Sequence, residues 1–313
     1  MRTDTTFLSR GTRIAAWHYS GVGTDFATGA GRPCVVMAHG LGGTRDTGLS
    51  GFAEAFAGAG LDVLLFDYRG FGDSGGSPRQ HVSYRAQRDD YRAAIAAARQ
   101  LPGVDRERIV LWGTSYSAGH VLPVGVADGH IAAAISMTPA MDGAAALLTL
   151  LRRSGPLPLL RLTAHGIRDA IGSLFGRRPH VVALAGAPGS VAFLDAPGAL
   201  EGCLATAGPT WRNEICARAA LEVAMNRPTT SARKVTFPLL VQIGDADQTV
   251  PASAAVRAAR KAGSHATTRH YPLDHFDVYD GGPFHEQVLA DQVTFLHDQL
   301  RPSTVPTAQE ALR

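Results

Sequence analysis

Six short runs of β-type residues recur along the chain, at Cys34–Ala38, Leu61–Asp67, Ile109–Trp112, Ile131–Met137, Phe237–Ile243 and Thr267–Tyr271. Between most of them lie stretches with helical periodicity. Thr47–Ala59 carries Phe52 and Phe56 four apart, and Ser83–Arg99 puts Tyr91, Ala94, Ile95 and Ala98 on one face. Ser115–Val126, Ala252–Lys261 and Phe284–Leu300 follow the same pattern. The middle strands are apolar at consecutive positions, as a strand is when both faces of its sheet are covered. Strands of this kind alternating with helices predict an α/β fold: a mostly parallel, twisted sheet with helices on both faces. Phe7–Ser9 and Arg13–Tyr19, around Gly11, predict a leading hairpin.

The alternation stops between Pro139 and Thr236. A structureless loop of that length is implausible inside a compact domain. Met141–Leu151 and Leu157–Phe175 read as Leu-rich helices, Gly186–Gly202 as turn-rich, and Trp211–Asn226 as helical again. Residues 139–235 are therefore expected to form an inserted, mainly helical cap on a core made of 1–138 and 236–300, with a mobile tail at 301–313. The 313 residues thus make one core with an insertion, although length alone also allows two domains.

Charge and cysteine content exclude several functions. The formal charge is +3, and the basic residues (nearly all arginine) are scattered apart from pairs such as Arg152-Arg153 and Arg177-Arg178. That is no footprint for nucleic acid. Cys34, Cys203 and Cys216 show no recurring spacing, which argues against a disulfide framework or a four-cysteine zinc site. No two of the twelve histidines stand four apart, so no helical metal site is expected, nor any cofactor. The longest apolar run, Ala93–Ala98, is far short of the roughly 18 residues of a membrane span. The start, MRTDTTFLSR, lacks the apolar stretch of a secretory signal, so a cytoplasmic monomer or homodimer is the default expectation.

The chemistry is carried by Ile109-Val110-Leu111-Trp112-Gly113-Thr114-Ser115-Tyr116-Ser117-Ala118-Gly119, a strand running through Gly-x-Ser-x-small into a helix. This resembles the nucleophile elbow of the α/β-hydrolases, where a tight turn projects the serine hydroxyl above the sheet. Flanking positions must be small because strand and helix backbones converge there; Ser117 stands where the family usually has a second glycine. The resemblance extends to His39-Gly40-Leu41-Gly42-Gly43, which implies an oxyanion hole made by the amides of Leu41 and Tyr116, and to the glycine-rich loop Asp67–Gly76. Asp245-Ala246-Asp247-Gln248-Thr249-Val250-Pro251 is similar to the family's acid loop and Tyr271-Pro272-Leu273-Asp274-His275-Phe276 to its histidine loop. The order Ser115, Asp247, His275 is the one this fold uses. Within the same clan, Trp112–Ser117 and His275-Phe276-Asp277 resemble bacterial dienelactone-hydrolase-like enzymes and the X-prolyl peptidase and cocaine-esterase group.

Other readings compete for some of these residues. Asp245, or Asp142 beyond the fourth strand, competes with Asp247 as the acid. His39, His120, Arg69, Asp73, Asn213 and Arg218 read as packing or bracing residues, and Cys34 as an inert core residue. The resemblance implies a cofactor-free serine hydrolase acting on a small-molecule carboxylic ester or thioester with an apolar part, the cap supplying an apolar pocket. An acyltransferase or polyketide-tailoring enzyme would use the same acyl-enzyme. A peptidase or a noncatalytic hydrolase-fold receptor fits the motifs less well.

Overall fold

The computed structural model describes residues 1–301; the tail expected at 301–313 lies, apart from Arg301, outside the described residues. The chain forms β1 (Arg2–Ser9), β2 (Thr12–Tyr19), β3 (Arg32–Ala38), α1 (Ser50–Gly58), β4 (Asp62–Phe66), α2 (Tyr84–Ala98), β5 (Val104–Thr114), α3 (Ser115–Asp128) and β6 (Ala133–Met137). After the intervening stretch come β10 (Leu239–Gly244), α8 (Ala252–Ala262), β11 (Ala266–Tyr271) and α9 (His285–Leu300). These strands make one eight-stranded sheet in the order β1-β2-β4-β3-β5-β6-β10-β11. β2 is antiparallel to both its neighbours, and the other pairs are parallel.

The consecutive apolar runs are explained by two cores. Val36, Ala38, Leu64, Phe66, Ile109 and Leu111 face α2, α3 and α8. The alternate residues Val35, Met37, Val63, Leu65, Val110 and Trp112 face α1 and α9. Strand neighbours point to opposite faces, so a sheet covered on both sides needs no polar alternation. One polar thread crosses the second core: Trp112 Nε1 donates to Gln292 Oε1 at 2.9 Å, and Gln292 Nε2 donates to Gln242 Oε1 at 2.7 Å. Each buried polar group thereby finds a partner.

The register brings the strand ends level. Ala38 lies opposite Gly113 and Phe66, Gly113 opposite Ser136, and Gly244 opposite Tyr271. The loops carrying His39, Asp67, Ser115, Asp247 and His275 therefore leave the sheet along one edge, the carboxyl ends where such folds bind ligands.

The stretch between β6 and β10 stands outside this sheet. It holds α4 (Gly143–Ser154), α5 (Pro156–Leu174), β7 (Val181–Ala185), β8 (Ala192–Leu194), α6 (Ala199–Thr206), β9 (Ile215–Cys216) and α7 (Ala220–Val223). Strands β8-β7-β9 form a separate small sheet. The two Leu-rich helices fall where expected, but Trp211–Asn226 is not one helix. Asn213 holds the β7 backbone, accepting from the Ala185 amide at 2.8 Å and donating to the Ala185 carbonyl at 3.0 Å. Ile215 and Cys216 then pair with Val182 and Val181. Asparagine's side chain competes with helical hydrogen bonding in this way, and the pairing it selects is non-local, so periodicity does not reveal it.

Candidate active site

Ser115 sits at the junction of β5 and α3 with φ +55°, in the left-handed region that costs a non-glycine residue about 1–3 kcal/mol. The surroundings enforce it. A Cβ on Gly113 would lie 2.5 Å from the Ser117 carbonyl oxygen, and one on Gly40 would lie 3.1 Å from Ser115 Cβ. Ser117 is more than a small residue: its buried hydroxyl accepts from the Thr114 amide at 3.1 Å and donates to the Ala38 carbonyl at 2.7 Å. It ties the elbow to the end of β3, which a glycine could not do.

His275 lies between Ser115 and Asp247. Ser115 Oγ donates to His275 Nε2 at 3.0 Å, and His275 Nδ1 donates to Asp247 Oδ2 at 2.7 Å. A carboxylate only accepts, which fixes the proton on Nδ1 and leaves Nε2 facing the hydroxyl. The other Asp247 oxygen accepts from the Thr249 and Val250 amides, both at 2.8 Å. Side-chain exposure is 3% for His275 and 1% for Asp247, so water does not compete for this pair.

The rival carboxylates are engaged elsewhere. Asp245 pairs with the exposed His270 at 2.7 Å. Asp142 caps α4 through the Ala144 and Ala145 amides and pairs with Arg227 at 3.1 Å. His39 accepts from the Tyr68 amide through Nε2 at 3.2 Å and donates from Nδ1 to the Gly40 carbonyl at 2.9 Å. Burial lowers its pKa, which keeps it a neutral brace of the Gly40–Gly43 loop. His120 is packed against Tyr116 and donates to Gln87, and burial holds its pKa well below the usual range. Arg69 pairs with Asp90, and Arg218 with Asp169, both as braces. Burial raises the thiol of Cys34, and that of Cys203 is pushed up to about 12, which leaves both protonated.

Some supporting residues carry no motif signature. Arg45 N–H and guanidinium donate to the two oxygens of buried Asp67 at 2.7 and 2.6 Å, and a second guanidinium nitrogen reaches Asp73 at 2.6 Å. This pins the loop after β3 to the loop after β4. Arg45→Ala would leave buried Asp67 with backbone amides but no counter-ion, so a stability loss of about 3–5 kcal/mol is expected. It would be read as a lower urea midpoint, and an unchanged midpoint would remove this pair as the loop's anchor. Asp46 continues the tie to the intervening stretch, accepting from the Thr210 amide at 3.0 Å and hydroxyl at 2.8 Å.

Two cavities meet at Ser115 and share Leu41 and Leu194 in their walls. The smaller, about 40 Å3, is bounded by His275, Phe276, Tyr279, Trp211 and Cys203. The larger, about 150 Å3, is bounded by Tyr116, Leu147, Leu150, Leu159, Leu162 and Phe193. Both Leu41 and Tyr116 thus border the space above Ser115.

The hydrolase family described as serine aminopeptidase, S33, matches residues 29–185. The chain is 38% identical over 295 residues to the quorum-quenching protein AidA of Acinetobacter baumannii, covering 94% of this chain and 93% of that one. It is 39% identical over 113 residues to the thiohydrolase aneE of Aspergillus aculeatus, 36% of each chain. The crystal structure of the α/β-hydrolase GrgF from Penicillium sp. sh18 superposes with a TM-score of 0.76 at 21% identity, covering 96% of this chain and 99% of that one. The chain belongs to the S33 serine aminopeptidase family of hydrolases, enzymes of the α/β-hydrolase fold.

Proposed function

We propose that this enzyme is a cofactor-free serine hydrolase that cleaves a carboxylic ester or thioester through an acyl-enzyme on Ser115. The observation that carries the reading is the continuous chain Ser115–His275–Asp247, at 3.0 and 2.7 Å. A serine hydroxyl is a weak nucleophile at neutral pH and needs an adjacent base. His275 takes its proton as the hydroxyl attacks the carbonyl, then hands it to the leaving oxygen or sulfur. Asp247 holds the imidazole tautomer and stabilises the imidazolium. The Leu41 and Tyr116 amides supply the oxyanion hole, each such donor being worth about 3–4 kcal/mol in the transition state. Water activated by His275 then releases the acid. In this reading residues 139–235 act as the cap, and the finer kinship with dienelactone-hydrolase-like and X-prolyl peptidase-related enzymes rests on the Trp112–Ser117 and His275–Asp277 motifs.

The two cavities support a division of the substrate into a small leaving group and a longer acyl chain. The leaving group must lie within reach of His275, which borders the smaller cavity and not the larger. The acyl chain then occupies the larger, mostly apolar one, whose lining also holds Arg153, Asp195 and Asn226. A cavity of about 150 Å3 holds a benzene-sized group, so the larger space suits about six carbons and the smaller about one or two. Burying a methylene contributes about 0.8 kcal/mol. With the alcohol kept small, kcat/KM is therefore expected to rise about fourfold per added acyl methylene until the cavity fills. A series of methyl esters against acetates of lengthening alcohols checks this; a preference for long alcohols over long acids would reverse the assignment.

The reading as a whole is tested by a fluorophosphonate probe followed by peptide mapping, with p-nitrophenyl ester turnover in parallel. Labelling at Ser115 together with turnover is expected; turnover without labelling there removes the acyl-enzyme. An acyltransferase is the second reading, favoured by the relative named polyketide transferase grgF of Penicillium sp., 30% identical over 159 residues. Products formed with an added small alcohol separate the two, since transfer yields a new ester where hydrolysis yields only acid.

A further inference from the structure

We propose that the outward face of α5, with the turn after it, is a docking surface for an anionic lipid bilayer. The helix has two apolar faces. Leu162 and Gly166 on its inner face are buried, and Leu159 and Leu162 border the larger cavity. Leu157, Leu160, Ile167, Ile171 and Leu174 are all exposed and stand three, four or seven apart, so they form one outward stripe. The stripe continues into Phe175, and Leu174 and Phe175 are 82% and 75% exposed. Isolated exposed leucines need no explanation, but a continuous apolar stripe on a single helix does.

Charge identifies the occupant. Arg161 and Arg168 run along one flank of the stripe, and Arg177 and Arg178 follow its end, all exposed. Residues 143–186 hold six arginines and one acidic residue, Asp169, a formal +5 in a chain whose total is +3. Asp169 is buried and paired with Arg218, so it does not neutralise the face. Arg153 pairs with Asp195; Arg161, Arg168, Arg177 and Arg178 have no ion-pair partner among the described residues. The arginines that look scattered in sequence thus gather on one surface. An apolar stripe edged by arginine is the pattern of a helix lying in a membrane interface, its side chains reaching up to lipid phosphates. No helix among the described residues is long and apolar enough to cross a membrane. A second copy is a poorer occupant, because a two-fold contact would set this arginine cluster against itself. Docking would place the roof of the larger cavity against the lipid phase, where apolar acyl compounds partition.

The test is sedimentation of the full chain with vesicles of phosphatidylcholine alone or mixed with phosphatidylglycerol, at low and high salt. Binding to the mixed vesicles is expected, weakened by salt and lost on phosphatidylcholine alone. Arg161→Gln with Arg168→Gln should lower the partition coefficient about thirtyfold, roughly fivefold per arginine. Leu160→Ser with Ile167→Ser should also release the protein while leaving turnover of a short, water-soluble ester unchanged, since neither residue borders a cavity. Equal binding to both vesicle types, or none to either, would overturn the proposal. So would a dimer by light scattering that Leu160→Ser with Ile167→Ser dissociates, since the face would then belong to a second copy. Because binding is read without turnover, its failure leaves the hydrolase reading untouched.

Discussion

Ser115→Ala is expected to lower kcat by about a million-fold while leaving the fold intact. The side-chain hydroxyl has one partner, His275 Nε2 at 3.0 Å, and His275 borders the smaller cavity, which has room for a water to replace the lost hydroxyl. The strained φ of +55° is set by Gly113, Gly40 and Ser117 around the turn, and alanine inherits it unchanged. Stability should therefore shift by less than about 1 kcal/mol. The residual rate, about 10³–10⁴ above water, would report what the proposed oxyanion hole of the Leu41 and Tyr116 amides contributes without a nucleophile. The variant should also fail to react with a fluorophosphonate. Retained ester turnover in Ser115→Ala at parental rates would sink the assignment of Ser115 as nucleophile.

The parts of the fold legible in the sequence are those made by local interactions. The strands were readable because burial on both faces leaves a consecutive apolar signature, as in Val35–Ala38 and Val63–Phe66. The elbow was readable because steric crowding at Gly113 admits no side chain. Asp247 could be picked over Asp245 by its position before Val250-Pro251, and the structure brings it to His275. By contrast, the Arg45–Asp67 anchor joins residues 22 apart, and the Asp46–Thr210 tie joins residues 164 apart. Neither leaves a pattern in a window of sequence. The small sheet at β7–β9 was missed for the same reason: Asn213 and the two-residue β9 acquire their conformation from a partner strand. The arginine edge of α5 is hidden in the linear sequence because Arg161 and Arg168 stand seven apart and are aligned only by two helical turns.

Asp247→Asn is expected to lower kcat by about 10⁴ with little change in fold, and this structure gives a specific reason. Asp247 Oδ1 accepts two backbone amides, from Thr249 and Val250. In the variant the carboxamide oxygen must stay there, since an NH2 group facing two N–H donors would leave all of them unpaired. The NH2 is thus forced toward His275 Nδ1, 2.7 Å from the present oxygen. That contact is satisfied only if Nδ1 gives up its proton and accepts. The imidazole then carries its proton on Nε2, pointing at Ser115, and cannot take the hydroxyl's proton. Asp245→Asn is the matched control: its carboxylate pairs with His270 at the surface, so kcat should be unchanged. No large loss in Asp247→Asn, or a large loss in Asp245→Asn alone, would show that Asp247 is not the acid. A large loss in Asp247→Asn alone would tie the rate to the tautomer the Thr249 and Val250 amides enforce.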